Sequence, residues 1–306
     1  FKSKKRNILF ALNPIHWKKI FLSNLIITSH SIIFHSFVNL FSNITTVCCG
    51  HGIRTAKYFD RFSNKELIQK HFKKFHYKFT EVWLHSKTEK NIYEDLDYKK
   101  ENLQIVGYLI QDEIKSSKNR PREEKKVLIA TTSYEKDRYV NTEFNFDNEY
   151  FLEVLNEIAV IENYEIIIKP HWKMHIDNEV VRKISKHNRL KYLQTFNAED
   201  YVDLLSSVDL LITDWSGIYV DFLMQKKPII FLDKPRPSNI YEFTKVYNNN
   251  IIKRDKNIDQ LKNSILNNKY LTNIHDLYNF IYAESNLDLK VIDKISDRLR
   301  TYKYLT

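Results

Sequence analysis

Glycine is nearly absent from this chain: Gly50, Gly52, Gly107 and Gly217 are the only four in 306 residues. With so few, there is no Walker loop and no GxGxxG fingerprint, and P-loop and dinucleotide-dehydrogenase readings lose their support. Where a glycine does stand, a tight turn or a close backbone approach is the reason to look for. Cysteine is scarcer still, with two residues. Cys48 and Cys49 are adjacent, so no disulfide framework exists and a reducing cytoplasm is expected. No run of eighteen apolar residues occurs; residues 25–41 come nearest and are broken by Ser, His, Thr and Asn. His30, His35, His71, His76 and His85 are scattered without metal-ligand spacing, so neither a metal nor another cofactor is expected. There is no fixed-period repeat and no low-complexity tract. The first residue is Phe1 and not Met, so the sequence reads as an excerpt of a longer protein. The basic opening at residues 1–6, followed by apolar residues 7–12, imitates a signal peptide. The apolar part is short, Asn13-Pro14 interrupts it and no small-residue cleavage site follows, so a strand is the better reading.

What is present is hydrophobic residues enough for sizeable cores, at 43%, and an excess of cations, at net charge +10. A surface of that sign favours polyanions, anionic headgroups or phosphorylated substrates without choosing among them. Short apolar runs alternate with helical patterns, the mark of an α/β chain. Strands are expected at 7–12, 25–28, 45–49, 81–86 and 103–108, and helices at 32–41 (helical or irregular), 64–80 and 87–96. Residues 115–126, KSSKNRPREEKK, lack periodicity and read as a linker. The pattern then restarts, with strands at 127–130, 164–169, 189–193, 209–213 and 229–232. Helices are expected at 148–162, 198–206, 218–224, 251–267, 275–287 and 290–304. In the 148–162 helix, Phe151, Leu152, Val154, Leu155, Ile158 and Val160 form the expected buried side. This gives an N-terminal domain at 1–118, a second at 119–286 and a closing helix at 287–306.

Polar residues gather at the expected strand ends: His51, Thr132, Ser133, Lys169, His171, Asp214 and Ser216. Ligands of open α/β sheets sit at the carboxyl ends of strands. His51 stands between two glycines, where an imidazole can take a proton from an incoming hydroxyl; a loop histidine in a tight turn is the plainer reading. Arg54 and Lys57 follow, suited to a phosphate or simply solvated. Lys169-Pro170-His171 sets a point charge and an imidazole on a stiff turn. Asp214-Trp215-Ser216-Gly217 joins a buried strand to a helix, where backbone N–H groups suit a phosphate; a βαβ crossover capped by Ser216 or Asp214 is the alternative.

These elements together resemble the CDP-glycerol glycerophosphotransferase family of teichoic acid and capsule polymer enzymes. The resemblance rests on Lys169-Pro170-His171, on SVDLLITDWSGIYVDF at 207–222, on Lys227-Pro228-Ile229-Ile230-Phe231, on His51-Gly52 and on Thr131-Thr132-Ser133. It implies a GT-B fold, two Rossmann-like domains facing a central cleft, with the closing helix returning to the first. It implies transfer of an alditol phosphate, glycerol phosphate foremost, from a CDP-linked donor to a hydroxyl of a glycan or lipid-linked acceptor, with CMP released. His51 would be the base and His171 would serve the leaving phosphate. Gly52, Arg54, Lys57, Thr132, Ser133, Lys169, Asp214, Ser216, Gly217 and Asp221 would line the substrate and donor sites. The chain departs from the family pattern at Trp215, usually Tyr, at Gly217, usually a second Ser, and at Ile53-Arg54-Thr55-Ala56-Lys57, usually Thr-Pro-Leu-Lys. A GT-B glycosyltransferase using a nucleotide sugar is the competing enzyme, and a basic binding module the competing non-enzyme. The stripe KELIQKHFKKFHYK at 65–78 suits docking at an anionic membrane that carries the acceptor. No nucleic-acid partner is expected, and the expected location is the cytoplasm, at the inner face of the membrane.

Overall fold

The β-branched runs become strands in two parallel sheets, each in its own compact unit of the chain. The computed structural model describes residues 25–28, 44–48, 79–95, 99–107, 114, 124–132, 143–171, 176–194, 198–234, 251–269 and 272–282.

In the first unit, β1 (Leu25–Thr28), β2 (Thr45–Cys48), β3 (Glu81–Leu84) and β4 (Leu103–Ile105) lie side by side in chain order, all parallel. Helix α1 (Lys87–Asp95) follows β3 through a buried junction. The Glu89 N–H donates to Ser86 Oγ at 3.3 Å, while Glu89 Oε2 accepts from the His85 N–H at 2.8 Å and meets His85 Nδ1 at 2.7 Å. The Ser-x-x-Glu spacing is that of a capping box, but the Glu89 carboxylate accepts the N–H of His85, one residue before Ser86, which makes His85 part of a helix start. Strand β4 stops at Ile105, two residues before Gly107, whose φ of 83° only glycine adopts freely.

In the second unit, the elements are β5 (Lys125–Ala130), α2 (Glu149–Ile161), β6 (Tyr164–Ile168), α3 (Asn178–Ser185), β7 (Leu190–Tyr192), α4 (Ala198–Ser207), β8 (Leu210–Thr213), α5 (Ile218–Leu223), β9 (Ile229–Leu232), β10 (Arg254–Asp255), α6 (Ile258–Leu266) and α7 (Ile274–Ile281). The sheet order is β10-β9-β8-β5-β6-β7, every pair parallel. Strands β6, β8 and β9 are buried along their whole length, which is why they read as unbroken apolar runs. Ile129, Ile168 and Ile212 from the sheet pack with Leu152, Leu155 and Ile158 of α2 and Leu261 of α6 in one core. Lys226 ends the α5 segment in a left-handed conformation (φ 55°). The Nζ of Lys227 then donates to the Ser206 and Val208 carbonyls at 3.1 and 2.6 Å, closing the end of α4.

The structure corrects several sequence expectations. Strand β5 begins at Lys125, inside the stretch read as linker. Lys126 is drawn into the ladder by Asp209, whose Oδ2 accepts its N–H at 2.9 Å, and by Glu165, 3.4 Å from its Nζ. Val160 is 60% exposed; at 100° per residue the buried place after Ile158 belongs to Ala159. The helix expected from residue 251 begins at Ile258, where Asn257 Oδ1 accepts the Gln260 N–H at 2.9 Å, and β10 precedes it. Helix α3 is an addition to the expected elements, since only Val180 and Ile184 mark its buried side. Phe79 and Thr80, expected at the end of a helix, are not helical. The elements expected at 7–12, 32–41 and 290–304, the helix over 64–78 and the boundary at 118/119 lie outside the described residues.

Candidate active site

In the second sheet the chain runs outward from β5 to β6 and β7, then returns to add β8, β9 and β10 on the other side. Neighbouring crossovers therefore leave in opposite directions at β5 and β8, and the crevice between their carboxyl ends is the natural ligand position. Thr131 and Thr132 follow β5, Asp214 follows β8, and Lys169 and His171 follow β6, the next strand along.

Asp214 organises this edge. It is fully buried, at 0% exposure, and its Oδ1 accepts the Thr132 N–H at 2.8 Å and the Ser216 N–H at 3.1 Å. One carboxylate oxygen thus ties the loop after β5 to the turn after β8. Beneath it, Thr213 Oγ1 donates to the Ala130 carbonyl at 2.6 Å. Gly217 occupies the cap position of α5 with φ −64° and no side-chain cap, and neither Ser216 nor Asp214 fills that role. A Cβ added to Gly217 would meet nothing within 4 Å. The glycine is therefore not demanded by conformation or by crowding. Helix α5 has six residues, so what the turn offers is individual N–H groups of the first turn, Gly217 and Ile218, which have no acceptor among the described residues.

Lys169 is half-buried, and burial holds its amine below the ordinary lysine range. Its N–H donates to the Ile129 carbonyl at 2.9 Å, which fixes the start of the Lys169-Pro170-His171 turn against β5. His171 is half-exposed. Asp221 is engaged elsewhere, its carboxylate accepting the Tyr201 hydroxyl of α4. His51, Gly52, Arg54, Lys57 and Ser133 lie outside the described residues.

Two cations near the turn are absent from the residues the sequence singles out. Lys234, two residues past β9, is 2% exposed; burial pushes its amine down to about 8, against the pull of the Asp214 carboxylate. Arg254, in β10, stacks on the Trp215 indole at 3.8 Å and donates to the Asp214 and Leu232 carbonyls at 3.2 and 2.9 Å. Nothing local in the sequence marks either residue, because both are brought to the turn by the parallel pairing of β8, β9 and β10. Among the described residues no group of His, Cys, Asp and Glu could hold a metal ion.

Comparison with known proteins gives the family and the fold. The family model described as CDP-Glycerol:Poly(glycerophosphate) glycerophosphotransferase matches residues 15–236. The chain is 29% identical over 219 residues to the minor teichoic acid biosynthesis protein GgaB of Bacillus subtilis (strain 168), covering 62% of this chain and 23% of that protein. It is 28% identical over 118 residues to a teichoic acid glycerol-phosphate transferase of Staphylococcus aureus (strain NCTC 8325 / PS 47), covering 39% and 28%. The chain thus spans less than a third of the length of these curated relatives. Among solved structures, a variant of the wall teichoic acid polymerase TagF soaked with CDPG aligns at a TM-score of 0.63 and 17% identity over 92% of this chain and 74% of that one. A putative UDP-N-acetylglucosamine 2-epimerase from Listeria monocytogenes aligns at 0.59 and 13% over 95% and 76%. These structural likenesses show the fold, an α/β chain of the GT-B class. The family model covers well over half of the sequence, with both the Lys169-Pro170-His171 turn and the Asp214–Gly217 turn inside its bounds, and the chain belongs to the CDP-glycerol:poly(glycerophosphate) glycerophosphotransferase family.

Proposed function

We propose that the chain transfers an alditol phosphate, most directly glycerol phosphate, from a CDP-linked donor to a hydroxyl of a cell-surface glycan or lipid-linked acceptor. The observation that carries this reading is the Thr132–Asp214–Ser216 tie at the crevice between β5 and β8, flanked by Lys169 and His171. N–H groups of the turn and the Lys169 ammonium suit the donor diphosphate, and Ser216 adds a hydroxyl. The GgaB and TagF relatives bear teichoic acid names, which supports a polymer or lipid-linked acceptor.

The chemistry needs no metal where cations and backbone donors offset the charge that develops. The acceptor hydroxyl gives its proton to His51 as its oxygen bonds to the phosphorus that carries the glycerol. The bond from that phosphorus to the bridging oxygen breaks, and the oxygen leaves with CMP. His171 stabilises the departing phosphate by hydrogen bonding. His51→Ala is expected to lower turnover by at least about a hundredfold with folding intact, measured as CMP release beside a circular dichroism spectrum; undiminished turnover removes the base assignment.

The nucleotide-sugar alternative is separated by product. Incubation with CDP-glycerol, CDP-ribitol and nucleotide sugars is expected to yield CMP from the alditol donors. A nucleoside diphosphate released from a sugar donor would instead indicate glycosyl transfer. No described helix is long and apolar enough to cross a membrane. The net charge of +10 and the 65–78 stripe support peripheral docking to an anionic inner leaflet, where the acceptor is carried.

A further inference from the structure

The turn from Asp214 to Gly217 is held by one carboxylate on the side of β5, and by a cation on the side of β9. β10 is two residues long and registers Arg254 opposite Phe231 and Asp255 opposite Leu232, so the backbone of Arg254 is fixed in the sheet beside the end of β9. From there its Nη1 donates to two carbonyls at once, that of Leu232 at the end of β9 (2.9 Å) and that of Asp214 at the start of the turn (3.2 Å). The guanidinium plane lies over the Trp215 indole, 3.8 Å from its centroid, and 5.5 Å from the Phe231 ring. The indole is itself fixed at its edge, where Nε1 donates to the Lys234 carbonyl at 3.0 Å.

We propose that Arg254 is a positioning residue for the donor site: its stack on Trp215 and its bridge between the Asp214 and Leu232 carbonyls hold the turn that presents the Ser216 hydroxyl and the Gly217 and Ile218 N–H groups. The geometry calls for arginine in particular. A planar guanidinium can stack on an indole while its edge still donates to the two carbonyls, whereas an ammonium on the same backbone is a compact, strongly hydrated point charge that does not stack flat. The Asp214 carboxylate fixes the turn relative to β5; Arg254 fixes it relative to β9 and β10. With both in place the phosphate-facing N–H groups need no reorganisation when an anion arrives, which is where preorganisation improves affinity. Arg254 does not touch the donor in this assignment.

The proposal rests on the donor reading above, so its test has an arm that does not depend on the donor. Arg254→Lys and Trp215→Tyr are compared with the unaltered chain. In the ligand-free protein, amide hydrogen exchange of the peptide spanning residues 210–220 is expected to quicken by roughly tenfold in Arg254→Lys, as a lost charge-assisted bond of about 1.4 kcal/mol would produce. Exchange in α2 is expected not to change. In kinetics with CDP-glycerol, KM is expected to rise by roughly tenfold with kcat within about twofold. Trp215→Tyr, which keeps an aromatic face and loses the Nε1 bond, is expected to fall between the two. A residue that merely stabilised the fold would lower the melting temperature, speed exchange in α2 as well and leave KM alone. Unchanged exchange over 210–220 overturns the proposal, as does an unchanged KM in Arg254→Lys. If the unaltered chain neither binds nor turns over CDP-glycerol, the donor reading falls, and the exchange measurement still decides whether Arg254 holds the turn.

Discussion

At the scale of single residues, two of the charged groups beside the turn, Asp214 and Lys234, are buried. Lys234 is the sharpest case. Its amine titrates near 8 in the fold against an ordinary 10.5, because burial disfavours the charge more than Asp214 favours it. Between those two pH values the unfolded chain binds more protons at this position than the folded one. The burial of Lys234 therefore costs stability below pH 8, about 3 kcal/mol at most, and that cost fades as pH rises toward 10.5. The unfolding free energy of the unaltered chain, minus that of Lys234→Met, is expected to increase from pH 7 to pH 10 in denaturant titrations; a flat or falling difference contradicts the assignment. Gly217 is the opposite case. Its φ of −64° and the open space around a Cβ mean that Gly217→Ser fits without strain. Serine is also the better residue at a helix cap. The substitution is expected to leave stability within about 0.5 kcal/mol or raise it, and the melting temperature of the pair checks this. The departure from the family pattern at this position thus removes a hydroxyl and leaves the backbone unchanged.

At the scale of elements, legibility in the sequence follows burial. Strands β6, β8 and β9 are covered on both faces, so their apolar runs need no periodicity to be seen. Helix α2 is visible from its spacing, yet Val160 reads onto the wrong face because the chain places an unbroken apolar run, Ile158 to Ile161, at its end. Val160 and Ile161 are 60% and 58% exposed, while Ile158 and Ala159 are fully buried. Ile158→Ala is expected to cost about 2–5 kcal/mol and Val160→Ser less than about 0.5 kcal/mol, compared by chemical denaturation. Equal costs would mean that the helix is rotated from the orientation described. Strand β10 and helix α3 are hidden for a different reason. A two-residue strand has no pattern of its own and exists because β9 offers it an edge, and α3 buries only two apolar side chains. Arg254 is hidden with β10, since its role arises from the pairing and not from its neighbours in sequence. Asp214, Ser216, Lys169 and His171 are legible because each follows a strand that is itself legible.

At the scale of the whole molecule, each parallel sheet precedes some of the proposed site residues in sequence. The second sheet reverses its winding between β5 and β8, and the polar residues proposed for the donor site lie at that reversal and on the adjacent strand end. The first supplies the strand after which His51 comes in sequence. The central claim is that the donor diphosphate binds at the β5–β8 crevice of the second unit. Calorimetric titration of CDP-glycerol into the unaltered chain, His171→Ala and Ser216→Ala tests it most directly. Each substitution removes a hydrogen-bonding group from the site and leaves Asp214 and the core in place. The expected result is a donor affinity roughly tenfold weaker in each variant, with melting temperatures close to that of the unaltered chain. Equal affinity in all three proteins would contradict the claim.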